Sequence, residues 1–398
     1  VMAHVRAYGD QCPEARAIIH LGATSSFVGD NTDIILMHRG LAIIRKLLLN
    51  TIDRLAGFAE RYKALPVLGY THFQPAQPAT LGKRAALWIS DLLMDLDALD
   101  FTAGNLKLLG CKGATGTAAS FLQLFDGDHG KVLELEKRIA RKMGFDGDKI
   151  VPVSSQTYSR KTDYFVISVL SGIAQSAHKF SNDIRLLSHE GELEEPFGDS
   201  QIGSSAMAYK RNPVKAERIA ALSRHLMVLV QDAAFTAAGQ WLERSLDDSA
   251  NRRIAIPEAF LAADAILNLY ISVAEGLMTY PAVIKKHLDE RLPFMATENI
   301  LMYCTAKGGD RQTLHEAIRA HSMEAAQAMK RDGAGNDLLE RILADPAINI
   351  NKEELDGIMA AGGFTGRAEE QAGEYLTTVR KVLDENRDVL GYSPKIRI

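Results

Sequence analysis

Residues 29 to 59 read GDNTDIILMHRGLAIIRKLLLNTIDRLAGFA. Within them Ile34, Met37, Leu41, Ile44, Leu48, Ile52, Leu55 and Ala59 recur at spacings of three and four, which gathers the apolar side chains on one face of an α-helix. Gly29-Asp30-Asn31-Thr32 is good helix-starting chemistry, because short polar side chains accept hydrogen bonds from the first free backbone N–H groups. The pattern predicts an amphipathic helix of about eight turns beginning after Thr32.

The same periodicity recurs on both sides of this stretch. Leu81, Ala85, Trp88, Leu92, Leu96 and Leu99 follow Pro78, and Phe165, Val169, Ile173, Ala177, Phe180, Ile184 and Leu187 form a third run. Leu222, Leu226, Leu229 and Ala233 follow Pro213, and Leu261, Ile266, Leu269, Val273 and Leu277 follow Pro257. Only 12 prolines occur, placed as punctuation between these runs. Long helices with few alternating apolar stretches predict an all-α, long-helix bundle. Helices of this length exceed what one small domain needs, so they are expected to pack against other copies of the chain. After Pro281 the helices shorten and glycines rise, as in Lys307-Gly308-Gly309-Asp310 and Asp332-Gly333-Ala334-Gly335. The expected division is residues 1–24, a central bundle at 25–279, and a smaller C-terminal helical domain at 280–398.

Composition narrows the function classes. Of 398 residues, 46% are hydrophobic and 24% charged, which is globular. A net charge of −4 without a long lysine–arginine block gives no electrostatic support for nucleic-acid or membrane-surface binding. Cys12, Cys111 and Cys304 lie far apart and form no CxxC pair, which fits a reducing compartment. With no leader pattern and no uninterrupted apolar run of membrane-spanning length, a cytoplasmic protein is expected. The chain opens at Val1, and an upstream segment is expected to be missing.

No P-loop, Rossmann or HExxH motif and no metal-spaced cysteine cluster occurs, and neither a metal nor a cofactor is expected. His315 and His321 are too badly spaced to share a helix face well. Polar residues concentrate instead in four loop segments between apolar helices, where function usually sits. These are His20-Leu-Gly-Ala-Thr24-Ser25-Ser26, Gly69-Tyr-Thr71-His72-Phe-Gln-Pro-Ala-Gln77, Gly203-Ser204-Ser205-Ala-Met-Ala208-Tyr-Lys210-Arg-Asn212-Pro213, and Asp247-Asp-Ser249-Ala-Asn-Arg-Arg253. Read alone, the third is an anion-binding loop with Asn212 as a helix cap, or equally a solvated capping loop; His72 alone reads as a structural histidine.

Taken together, these segments resemble the fumarase/aspartase superfamily, whose fingerprint is a Gly-Ser-Ser-x-Met-Pro-x-Lys-x-Asn-Pro loop after long bundle helices. The Tyr-Lys-Arg-Asn-Pro ending, Thr71 to Gln77, Gln156-Thr-Tyr-Ser-Arg-Lys161 and Leu246 to Arg253 are similar to the adenylosuccinate lyases of the eukaryotic kind. The resemblance runs from about His4 to the Phe364–Arg367 region. It implies the fumarase/aspartase type of bundle, with residues 1–24 the remnant of an N-terminal helical domain. It further implies β-elimination of fumarate from adenylosuccinate, giving AMP, and from the succinyl-carboxamide ribotide SAICAR, giving AICAR, in purine synthesis.

By this resemblance Ser204 is the base, with Ser205 the alternative, His72 is the general acid, and Glu217 pairs with the catalytic histidine. Thr24, Ser25, Thr71, Gln156, Lys210, Asn212, Arg218, Arg244, Ser249 and Arg253 would hold the substrate's carboxylates and phosphate. A serine is a poor base unless its alkoxide is stabilised, and Lys210 with the helix start near Pro213 is a route to that. Family members are homotetramers whose sites combine loops of several subunits. Ala208 stands where the family has proline, which should loosen the loop, and the histidine–aspartate pair that precedes the family's Met-Ala-His segment is absent. The competing readings are a sister lyase acting on argininosuccinate, malate or aspartate, and a catalytically silent helical scaffold.

Overall fold

The computed structural model describes residues 1–198, 207, 209–360 and 363–396. A short helix α1 (Met2–Gln11) leads through turns to α2 (Ser25–Arg61). Every apolar position read from the 29–59 stretch is 0 or 1% exposed on α2. Each large side chain so buried contributes about 1.5–3 kcal/mol, as an upper bound. The helix nevertheless starts earlier than its sequence suggests, with Thr24 at the N-cap. Asp30 and Asn31 are interior: Asn31 donates to Phe27 O (2.7 Å) and Gly110 O (3.0 Å), and Asp30 binds a buried arginine described below. Their polarity serves long-range contacts and does not cap the helix.

Four two-residue strands, β1 (Pro66–Val67), β2 (Tyr70–Thr71), β3 (Gln74–Pro75) and β4 (Ala79–Thr80), form a small antiparallel excursion. It leads into α3 (Leu81–Gly104), where Thr80 accepts from Lys83 N as a side-chain cap. Helices α4 (Ala119–Leu124) and α5 (His129–Lys142) flank the bundle, followed by α6 (Lys161–His189), β5 (Leu193–Glu194), α7 (Val214–Gly239) and α8 (Asp248–Gly276). The long helices α2, α3, α6, α7 and α8 pack into one core in which Phe180 stacks on Tyr270 (4.0 Å) and meets Trp88 edge-on (5.1 Å). Helix α8 also begins earlier than expected, at Asp248, and carries the exposed Pro257 inside it. By length and composition alone α8 could cross a membrane. Here Ala259, Ala263, Ile266, Tyr270 and Val273 are buried in the bundle.

Strand β6 (Met278–Thr279) pairs with β5 and opens α9 (Pro281–Met295). Helices α10 (Thr297–Ala306), α11 (Arg311–Asp332), α12 (Leu338–Ala344) and α13 (Lys352–Ala360) share a second core around Ile300, Leu314, Ile342 and Leu355. His315 is exposed on α11, and His321 pairs with Asp345 at 2.7 Å. Helix α14 (Ala368–Asp384) returns to the bundle, where Leu376, Val379 and Leu383 join the main core. The tail is then tied to α2, as Tyr392 N donates to Asn50 Oδ1 (2.8 Å) and Asn50 Nδ2 to Val389 O (2.9 Å).

Candidate active site

The antiparallel helices of the bundle place the candidate residues at two ends. One end gathers the N-termini of α2, α6 and α8 with the C-terminus of α7. Thr24 caps α2, Ser25 opens it exposed, and Ser26 Oγ meets Gln156 Oε1 at 3.4 Å. Gln156 also donates from Nε2 to Ala114 O (3.1 Å) and from its backbone N to Glu243 O (3.1 Å). Arg244 pairs with Asp248 (2.8 Å), while Arg253 is exposed and donates to Ser249 Oγ (2.6 Å). Thr24, Ser25, Gln156, Arg244, Ser249 and Arg253 thus share one pole.

Beneath that pole lies a charged frame that the sequence reading did not single out. Arg160, 1% exposed, bridges Asp30 (3.0 Å) and Asp248 (2.5 Å). Arg252 bridges Asp163 (2.5 Å) and Asp33 (3.0 Å), and Tyr158 donates to Asp163 at 2.6 Å. Burial pushes the Asp248 carboxyl up, but its bond from Arg244 and the charge of Arg160 win and hold it below the ordinary value. The frame locks α2, α6 and α8 in register, so the Thr24, Gln156 and Arg244 segments are presented on fixed supports. Arg160 and Arg252 lay inside the quoted motifs; what could not be read was that they face inward.

The other pole carries His72. Tyr70↔Pro75 and Thr71↔Gln74 pair, so His72 and Phe73 are the two residues of a tight hairpin turn, with φ of 53° and 55°. Two consecutive left-handed residues form the turn type that normally takes Asn-Gly. A histidine and a phenylalanine there cost about 1–2 kcal/mol each, a strain that persists where neighbouring contacts over-determine it. Thr71 and His72 are both exposed in the single chain.

Glu192, Glu194 and Glu195 face this hairpin and the start of α7. Glu192, 1% exposed at its side chain, pairs with His287 Nδ1 (3.0 Å) and accepts from the Tyr70 hydroxyl (3.5 Å). Burial, reinforced by Glu192 and Glu190, raises the Tyr70 pKa and keeps the phenol protonated. Glu194 accepts from Tyr280 OH (2.8 Å) and pairs with Arg211 (3.3 Å). Glu195 accepts from both Lys215 N and Ala216 N at 2.9 Å. The Asn212 side chain is therefore not the cap expected from sequence: the helix starts at Val214 with Pro213 before it, Val214 N donates to the Asn212 carbonyl (2.9 Å), and the next two N–H groups are taken by Glu195. That helix start is not free to stabilise an alkoxide. Lys210, Glu217 and Arg218 are exposed at this pole, Asn212 is half-buried, and Glu217 and His72 form no ion pair within the described residues of one chain. Ser204, Ser205 and Ala208 lie outside the described residues.

The two poles are separated by the 29-residue length of α6, about 40 Å at 1.5 Å per residue. One chain brings Thr71, His72, Lys210, Asn212, Glu217 and Arg218 to one end, and does not bring them to the other set.

Residues 1–227 match the family described as Lyase, and residues 293–375 match Adenylosuccinate lyase C-terminus. The chain is 52% identical to adenylosuccinate lyase of Saccharomyces cerevisiae over 94% of its length and 78% of the relative's. It is 49% identical to that of Schizosaccharomyces pombe over the same shares. The chain belongs to the adenylosuccinate lyases. It is an enzyme, a carbon–nitrogen lyase, and the relative from Schistosoma mansoni, 46% identical, matches 100% of the chain and 83% of its own length. Among solved structures, 3-carboxy-cis,cis-muconate lactonizing enzyme from Pseudomonas putida shares the fold at a TM-score of 0.82 and 23% identity, covering 96% of this chain and 82% of that one. Fumarate lyase from Mesorhizobium sp. BNC1 does so at 0.77 and 22%, covering 94% and 85%. These likenesses bear out the all-α, fumarase-type bundle expected from sequence.

Proposed function

We propose that this lyase cleaves adenylosuccinate to fumarate and AMP, and SAICAR to fumarate and AICAR, in purine nucleotide synthesis. The observation that carries the reading is the high identity to adenylosuccinate lyases across nearly the whole chain. The match of residues 293–375 to an adenylosuccinate lyase C-terminus favours it over a sister lyase.

The reaction needs a base, a cationic surround and an acid. Ser204 takes the proton from the succinyl carbon beside a carboxylate, and the electron pair moves into that carboxylate as a dianionic intermediate. Collapse of the intermediate forms the carbon–carbon double bond of fumarate and breaks the carbon–nitrogen bond. His72 delivers a proton to the departing nitrogen. Glu217 orients the histidine; Lys210, Asn212, Thr24 and Ser25 receive the succinyl carboxylates, Thr71 and Gln156 hold the substrate near His72, and Arg218, Arg244, Ser249 and Arg253 contact the rest, phosphate included.

Since one chain holds these residues about 40 Å apart, the site is completed by other copies, in a homotetramer. Support comes from apolar side chains left exposed on the long helices, among them Leu36, Ile43, Met94, Phe101, Phe235 and Leu261. Cytoplasmic placement is supported by three unpaired cysteines, of which burial pushes the Cys111 thiol to about 11. An ultraviolet assay of adenylosuccinate cleavage tests the function. Turnover by the parent that collapses in Ser204→Ala supports it; a parent inactive on both substrates overturns it.

A further inference from the structure

The hairpin that carries His72 is too small to hold its own shape. Its two strands contribute two residue pairs, and both turn residues sit in the left-handed region. Some outside contact must fix it. Gly69 O accepts from Ala76 N (2.7 Å) at the base, and Tyr70 reaches across to Glu192, with the Tyr70 and Phe73 rings 5.7 Å apart.

Glu192 is an unusual residue to find there. It is buried and shares one oxygen, Oε1, between Tyr70 and His287, while Oε2 is buried with no hydrogen-bond partner among the described residues. A carboxylate with one orphan oxygen costs stability relative to a neutral side chain. It is best accounted for by what it positions. Its own place is fixed from three sides: Glu192 O accepts from Tyr280 N (3.0 Å), Leu193 is 0% exposed in the core, and His287 on α9 meets the carboxylate.

We propose that Glu192 and Tyr70 form a tether that positions His72 for proton transfer, with His287 holding Glu192 in place. None of the three touches the substrate; they are positioning residues acting through the hairpin. The proposal rests on the reading of His72 as the acid of adenylosuccinate cleavage.

The test is a double-mutant cycle on the full-length assembled enzyme with Tyr70→Phe, Glu192→Gln and the double variant, reading kcat, KM and the thermal midpoint. Each single change is expected to lower kcat about tenfold or more, as small misplacements of a reacting group do, with KM moving less than about threefold. Because both act through one tether, the double variant should be no slower than the worse single one. Losses that multiply, a rise in KM at unchanged kcat, or a drop in thermal midpoint with kcat intact would each overturn the tether. Tyr70→Phe removes one oxygen and leaves no new buried charge, so it carries the test if Glu192→Gln fails to fold. A parent that cleaves neither adenylosuccinate nor SAICAR overturns the underlying reading and the tether together; an active parent with unaffected variants overturns the tether alone.

Discussion

His72 and Arg244 stand at opposite ends of one bundle, about 40 Å apart along α6. No side-chain movement closes that gap, so the proposed site, which uses both residues, is one that different copies of the chain would complete. The exposed apolar residues on α2, α3, α7 and α8 are the surfaces on which such copies would pack.

Arg160 is the keystone of the frame under the Arg244 pole. Arg160→Met would leave Asp30 buried without its ion-pair partner and Asp248 with Arg244 alone. Removing one partner of a buried ionic cluster costs about 3–5 kcal/mol. Urea unfolding at neutral pH should show a loss of this size, with no matching effect for Arg387→Met on the exposed Arg387–Asp384 pair.

Asp95 provides a pH signature. Burial raises its pKa from 3.8 to about 6, and its Oδ2 has no partner among the described residues. In the folded chain ionisation is disfavoured relative to the unfolded chain, so the penalty is absent below about pH 4 and builds as pH rises to about 6. Asp95→Asn should therefore raise stability by about 1–3 kcal/mol at pH 7.5 and change it little at pH 4. Thermal midpoints of the two proteins across that range measure it.

Glu195 caps α7 from outside the helix. Glu195→Ala frees the half-buried N–H of Lys215 and the buried N–H of Ala216. The expected cost is about 1–2 kcal/mol, the size of a lost helix cap. Hydrogen exchange at those two amides should quicken while exchange in the middle of α8 stays slow.

Periodicity made the bundle legible. The apolar stripe of α2 was readable residue by residue, because burial on one face of a long helix leaves a three-and-four spacing that nothing else produces. Helix starts were less legible. Asp30 and Asn31 have the composition of a cap but serve a buried arginine and a loop backbone, and Pro257 suggests a helix start yet sits inside α8 on its exposed face. Of the site, the segments around His72, Gln156, Lys210 and Arg244 were visible as polar islands between apolar helices, and their roles came from resemblance. The acidic run Glu192 to Glu195 was in plain view, but its partners Tyr70, His287 and Lys215 lie across the chain. Which end of the bundle each segment occupies depends on helix direction and packing, which no local pattern encodes.

The most direct measurement mixes two inactive proteins. His72→Gln and Arg244→Ala are purified separately, dissociated, combined, reassociated and assayed for adenylosuccinate cleavage. If sites are shared between copies, some sites in the mixed assembly carry neither change, and activity should rise far above the sum of the two proteins assayed alone. A mixture that co-assembles yet stays at that sum would contradict a site built from both poles.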